Sequence, residues 1–179
     1  GQTYQVALRA VNVAGPGLPS NLSTVVAKGT PEAPRSVSVV ASDRTLTVDF
    51  QPPSNGGSPI TNYDYSLDGG STWQQRVPAS VTAPIVIGGL TNGTAVQVRV
   101  RAVNAVGAGD ASSSTTATPR TTPSAPTIED DTIVGVDGTL EVVFSAPSSD
   151  GGSSITSYEY STDAGRTWRR RDAGTTGSP

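Results

Sequence analysis

Two stretches of this 179-residue chain set hydroxyl, carboxylate, glycine and tryptophan at one common spacing. Ser66-Leu67-Asp68-Gly69-Gly70-Ser71-Thr72-Trp73 and Ser161-Thr162-Asp163-Ala164-Gly165-Arg166-Thr167-Trp168 both read S-x-D-x-G-x-T-W. A carboxylate placed here can accept backbone N–H bonds across a tight turn. Gly70 and Gly165 supply positive φ, and Trp73 and Trp168 can cover the hairpin. The same groups allow a second chemistry. Asp68 and Asp163 are hard oxygen ligands of the kind calcium takes, and an exposed indole can stack on a sugar ring. The local, hairpin-stabilising use is the expectation, with Trp73 and Trp168 kept as glycan candidates.

Other chemistry is closed off by composition. The chain has no His, Cys or Met, which excludes a thiol nucleophile, a Ser-His-Asp triad, a disulfide and a Cys/His zinc site. Carboxylates fall on turns and outward strand positions with no pair converging, so an enzyme is not expected, and neither is a cofactor; calcium is the one ion the carboxylates would allow. Arg166, Arg169, Arg170 and Arg171 form the one basic cluster, where the other copy has Ser71, Gln74, Gln75 and Arg76. That difference reads as variation on a solvated strand face. Glu129-Asp130-Asp131 reads as an edge strand kept from pairing by charge. A formal charge of −3 argues against nucleic acid as the partner. No apolar run approaches the roughly 20 residues of a membrane helix, and no signal peptide stands at Gly1 of this segment. Asn21-Leu22-Ser23 and Asn92-Gly93-Thr94 fit the glycosylation sequon.

The elements that must hold these residues show themselves as a repeat. Arg9-Ala10-Val11-Asn12 recurs as Arg101-Ala102-Val103-Asn104, 92 residues on. Thr45-Leu46-Thr47-Val48-Asp49-Phe50 recurs as Thr139-Leu140-Glu141-Val142-Val143-Phe144 at 94, and Ile60 to Ser66 recurs as Ile155 to Ser161 at 95. Within a repeat the apolar period is two. Val96, Val98, Val100 and Ala102 alternate with Gln97, Arg99 and Arg101, as Tyr4, Val6, Leu8 and Ala10 do with Gln5, Ala7 and Arg9. Gly, Pro and Asn clusters separate these runs, and no window keeps a helical period. The fold class is all-β, with two-sheet packing.

Val100 to Gly109, followed by a Ser/Thr-rich strand, resembles the F strand, FG loop and G strand of a fibronectin type III domain. Phe50-Gln51-Pro52-Pro53 is similar to the end of strand B, with Phe where the family usually has Trp. Ile60–Ser66 resembles strand C, and Leu90–Thr94 the turn before strand F. Tyr4 stands where the family's tyrosine corner belongs, whereas the next copy has Val96. The resemblance implies tandem fibronectin type III-like, immunoglobulin-like antiparallel β-sandwiches. Its Cys-free, Gly/Ser/Thr-rich style is similar to that of copies in large bacterial extracellular proteins. The S-x-D-x-G-x-T-W stretches resemble the Asp-box hairpins of sialidase-type propellers, where the motif is structural.

The phase of the repeat gives the expected domains. Residues 31–119 carry strands A, B, C, C′, E, F and G of one module. Residues 1–30 carry F and G of a preceding one, and residues 120–179 carry A, B, C and C′ of a following one. The partial copies are expected to leave apolar faces open, with Tyr4, Val6 and Leu8 on one and Leu140, Val142, Phe144, Tyr158 and Tyr160 on the other. Two origins fit. The chain is a portion of a longer tandem array, or chains join head to tail by strand complementation. The absence of a strand E from both partial copies favours the first. The expected partners are neighbouring modules of the same or an identical chain, with polysaccharide second. The expected role is a non-catalytic spacer of an extracellular surface fibre, sheath or adhesin. A carbohydrate-proximal accessory module of a polysaccharide-degrading enzyme is the alternative.

Overall fold

In the computed structural model, residues 1–129 and 134–171 are described. The strands are β1 Thr3–Val6, β2 Val11–Asn12, β3 Gly15–Pro16, β4 Ser23–Val26, β5 Arg35–Ser42 and β6 Thr45–Gln51. They continue as β7 Ile60–Ser66, β8 Gln74–Gln75, β9 Ile85–Ile87, β10 Val96–Asn104, β11 Ala108–Ala111 and β12 Thr115–Ala117. The remaining ones are β13 Thr127–Ile128, β14 Val134–Val136, β15 Thr139–Glu141, β16 Phe144–Ser145, β17 Glu159–Tyr160 and β18 Arg169–Arg170. No helix occurs among the described residues. The all-β expectation holds.

The chain divides into two compact units. One holds Gly1–Val40, Leu46–Ile87 and Val96–Ala117; the other holds Ala41–Thr45, Gly88–Ala95 and the described part of the chain from Thr118 onward. The sandwich of the first unit follows from the period-two pattern. One sheet runs β5-β6-β9 and the other β11-β10-β7-β8, with β12 also on β10. Leu46, Val48, Ile85, Ile87, Tyr63, Val98, Val100 and Ala102 face inward and are buried, while Arg99 and Arg101 between them point out. Each large apolar side chain removed from water contributes about 1.5–3 kcal/mol, and Phe50 and Tyr63 add a tilted ring contact at 4.6 Å.

The other copies of these sequences make shorter strands. The alternation from Tyr4 to Ala10 predicts a seven-residue strand, yet β1 stops at Val6. The cause is the ladder. β10 is hydrogen-bonded along both edges, by β7 and by β11 and β12, whereas β1 has β4 alone among the described residues. β17 likewise keeps two residues where β7 has seven. The repeated aromatic pair survives, with Phe144 and Tyr158 at 4.6 Å. Phe144, Val142 and Tyr158 are half-buried; Tyr4, Val6, Leu8, Leu140 and Tyr160 are exposed. Tyr4 Oη donates to the Gln2 side chain (3.1 Å), not to upstream backbone. Asp130 and Asp131 lie outside the described residues. Glu129 N–H donates to Val143 O (3.1 Å), and its carboxylate accepts from Ser145 Oγ (3.0 Å).

Candidate functional site: one hairpin, built twice

β7 ends at Ser66, and the chain must reverse within a few residues to reach β8. Ser66 Oγ is the hub of that reversal. It accepts from Gly70 N (2.8 Å) and Asp68 N (3.4 Å) and donates to Asp68 Oδ1 (2.7 Å). Asp68 then closes the turn: Oδ1 accepts from Thr72 N at 2.9 Å and Oδ2 from Thr72 Oγ1 at 2.6 Å. Gly69 and Gly70 take φ of +74° and +103°, which L side chains rarely adopt. The hydroxyl of Thr72, its backbone N–H and the Ser66 hydroxyl hold the Asp68 carboxyl well below the usual carboxylate range.

The second copy repeats this network bond for bond. Ser161 Oγ accepts from Gly165 N (2.8 Å) and donates to Asp163 Oδ1 (2.7 Å). Asp163 accepts from Thr167 N (2.8 Å) and Thr167 Oγ1 (2.5 Å). The Thr167 hydroxyl, followed by its N–H and the Ser161 hydroxyl, lowers the Asp163 carboxyl from 3.8 to about 2. A short local program therefore builds the same turn on a seven-residue strand and on a two-residue one. In both, the oxygens that calcium would take already hold the turn. No group of three or more acidic ligands suited to a metal occurs among the described residues.

The two indoles differ. Trp73 is half-buried, its Nε1–H donates to Gly70 O (3.1 Å), and the Arg101 guanidinium lies 4.2 Å from its ring centroid. Arg101 also donates through Nε and Nη2 to Asp64 Oδ2, at 3.0 and 2.9 Å. One face of Trp73 is thus occupied by a cation that a carboxylate fixes from below. Trp168 is 61% exposed. The cluster Arg166, Arg169 and Arg170 is exposed, with Arg169 and Arg170 on β18 opposite Tyr160 and Glu159.

Sequence reasoning passed over Asn104 and Arg76. Asn104 is buried and its Nδ2 reaches Gly29 O (2.8 Å), Asn55 O (2.9 Å) and Ser58 O (3.4 Å), while its Oδ1 accepts from Val106 N and Gly107 N. The signal was present, since Asn12 recurs at the same place and also accepts from the amide two residues on (2.9 Å). Arg76 donates to Thr82 O and, at 3.2 Å, to Pro84 O, tying down the segment after β8. Asn92, in a sequon, spends its side chain on Asp43 Oδ1 (2.7 Å) and Arg44 N (2.8 Å).

Residues 32–118 match the family described as Fibronectin type III domain. Over 151 residues the chain is 34% identical to neural cell adhesion molecule 1 of Gallus gallus, an alignment covering 79% of this chain and 14% of that protein. Similar solved structures include a run of titin domains, at 27% identity and TM-score 0.44 over 55% of this chain and 36% of that one. Titin kinase with its flanking domains aligns at 28% identity and TM-score 0.43, over 52% and 18%. The chain thus spans well under two thirds of the length of these relatives. Residues 32–118 are similar to a fibronectin type III domain, and the fold they form is an all-β, immunoglobulin-like sandwich.

Proposed function

We propose that this chain is a non-catalytic structural stretch of an extracellular or cell-surface protein, a spacer in a fibre, sheath or adhesin of the kind that large bacterial surface proteins use. The observation that carries the reading is where the reactive groups point. Asp68, Asp163 and both pairs of flanking hydroxyls bond to their own turns, and Trp73 bonds to its hairpin and covers Arg101. Such groups fasten strands and leave little for a ligand. The alignment with a neural cell adhesion molecule supports a surface role.

A second reading rests on Trp168, whose exposed indole could stack on a sugar in a carbohydrate-proximal accessory module. Retention by a panel of immobilised polysaccharides separates the two. A spacer elutes from every one of them at the void volume. Retention that disappears in Trp168→Ala would replace the spacer reading with the accessory-module one.

A further inference from the structure

Two four-residue loops, Ser54-Asn55-Gly56-Gly57 and Ser149-Asp150-Gly151-Gly152, sit 95 residues apart and make the same contacts. In each, the Asx side chain accepts from the second glycine, Asn55 Oδ1 from Gly57 N (2.9 Å) and Asp150 Oδ1 from Gly152 N (2.8 Å). The glycines take φ of +68° and +86° in one loop and +73° and +85° in the other. Each loop then receives a segment that lies at one equivalent place in the repeat. Gly29 N donates to Gly56 O and Thr121 N to Gly151 O, both at 2.8 Å. Glu32 N donates to Ser54 O and Ser124 N to Ser149 O, both at 3.0 Å.

The approach is close enough to require glycine. A Cβ on Gly56 would lie 2.5 Å from Gly29 O and collide with Thr30 O. One on Gly151 would lie 2.7 Å from Thr122 O and collide with Thr121 O. The second glycine of each loop meets a glycine of the turn preceding the F-type strand. A Cβ on Gly57 would be 2.5 Å from Gly1 Cα, and one on Gly152 would be 2.9 Å from Gly93 Cα. Gly1 and Gly93 are themselves 92 residues apart. The received segments read Ala27-Lys28-Gly29-Thr30 and Pro119-Arg120-Thr121-Thr122, so the backbone bonds persist while most side chains differ.

We propose that the Ser-Asx-Gly-Gly loop is the docking surface by which one repeat recognises the repeat before it. Its occupant is the Gly-bearing turn of that preceding repeat together with the junction backbone that joins the two, read through main-chain atoms and van der Waals approach. Recognition of this kind is directional and tolerant of junction sequence. It needs glycine in the loop and a free carbonyl and N–H in the junction. A repeat carrying the loop can therefore follow any repeat that presents the turn.

The test uses the whole chain and amide hydrogen exchange. Gly56→Ala and Gly151→Ala place a Cβ against the junction backbone. Gly89→Ala and Gly138→Ala are the controls, at φ +76° and +78° with nothing within 4 Å of the added carbon. Gly151→Ala is expected to speed exchange at Thr121 and Ser124 by about tenfold or more, and Gly56→Ala to do so at Gly29 and Glu32, with the β10 amides unchanged. Both controls leave the junction amides as they were. Unchanged exchange at the junctions overturns the proposal. So does equal loss in the controls, which would show backbone strain at work, or loss across β10 in Gly56→Ala or at the Glu129 amide in Gly151→Ala, which would show that the loop serves its own module's folding.

Discussion

At the scale of single residues, the turn carboxylates carry a pH signature. Asp163 has its pKa lowered from 3.8 to about 2 by bonds that exist only in the folded turn, and Asp68 is lowered further by the equivalent bonds. A depressed folded-state pKa stabilises the fold in full above the unfolded value and is lost as pH falls through the folded one. The stabilisation from these turns is therefore present at pH 5 and above, and drains away below about pH 4, through about 2 for Asp163 and lower still for Asp68. The Asp68→Asn/Asp163→Asn double variant is expected to be less stable than wild type at pH 7. The gap should narrow through that window, as read from urea midpoints at pH 7, 4 and 2. A gap that stays constant with pH would mean that the oxygens act as neutral acceptors only. The hairpin itself was legible because its residues bond to one another within eight positions. The Arg101 cation over Trp73 was not, since 28 residues separate the two and only strand pairing brings them together.

At the scale of elements, pattern and partner share control. The period of two located β6, β7 and β10, because a strand with one buried face must alternate. Their lengths were not legible, because length depends on neighbours along both edges; Tyr4–Ala10 has the pattern of β10 and forms a four-residue strand. Joins between elements were legible only as Gly and Pro clusters. What fastens them is Asn104, a buried amide at the end of β10 whose Nδ2 spans Gly29, Asn55 and Ser58 carbonyls. Asn104→Ala takes this partner from the Gly29 and Ser58 carbonyls and the Val106 amide, while Gly107 N keeps Asn104 O and Asn55 O keeps Ser58 N; the loss is about 2–3 kcal/mol if two of the bonds go unreplaced in a buried site. Asn104→Asp keeps the acceptor side and loses the donors. It is expected to be equally destabilising or worse near neutral pH, where a buried carboxylate would face three carbonyl oxygens. Thermal denaturation of the two variants checks this. A cost for both within about 0.5 kcal/mol of zero, the range of ordinary surface changes, would show that the fork is not holding the loops.

At the scale of the whole chain, the repeat makes a further expectation specific. Residues 1–30 expose Val6 and Leu8, the counterparts of Val98 and Val100, while the 120–171 stretch exposes Leu140, Tyr160 and Trp168. In the sandwich of residues 32–118, Val98 and Val100 are buried in one core with Phe50 and Tyr63, whose counterparts are Phe144 and Tyr158. The polar side matches too. Arg101, which pairs with Asp64 beneath Trp73, has Arg9 as its counterpart; Asp64 and Trp73 have Glu159 and Trp168. If β1 and β4 of one chain lie against the 120–171 stretch of another, Arg9 falls beside Glu159 and under Trp168, forming with the cross-strand Arg170 a row of two cations around one carboxylate. Sedimentation of the 179-residue chain is then expected to show a mass that rises with concentration over about 1–100 μM, the range of modest strand-mediated contacts. Arg9→Glu should weaken that rise by placing two carboxylates together. Joining it to Glu159→Arg should restore it in part, through the reversed pair. A chain that stays monomeric throughout, or an Arg9→Glu variant that associates like wild type, would remove head-to-tail complementation. The exposed faces would then have to be covered by something other than a copy of this chain.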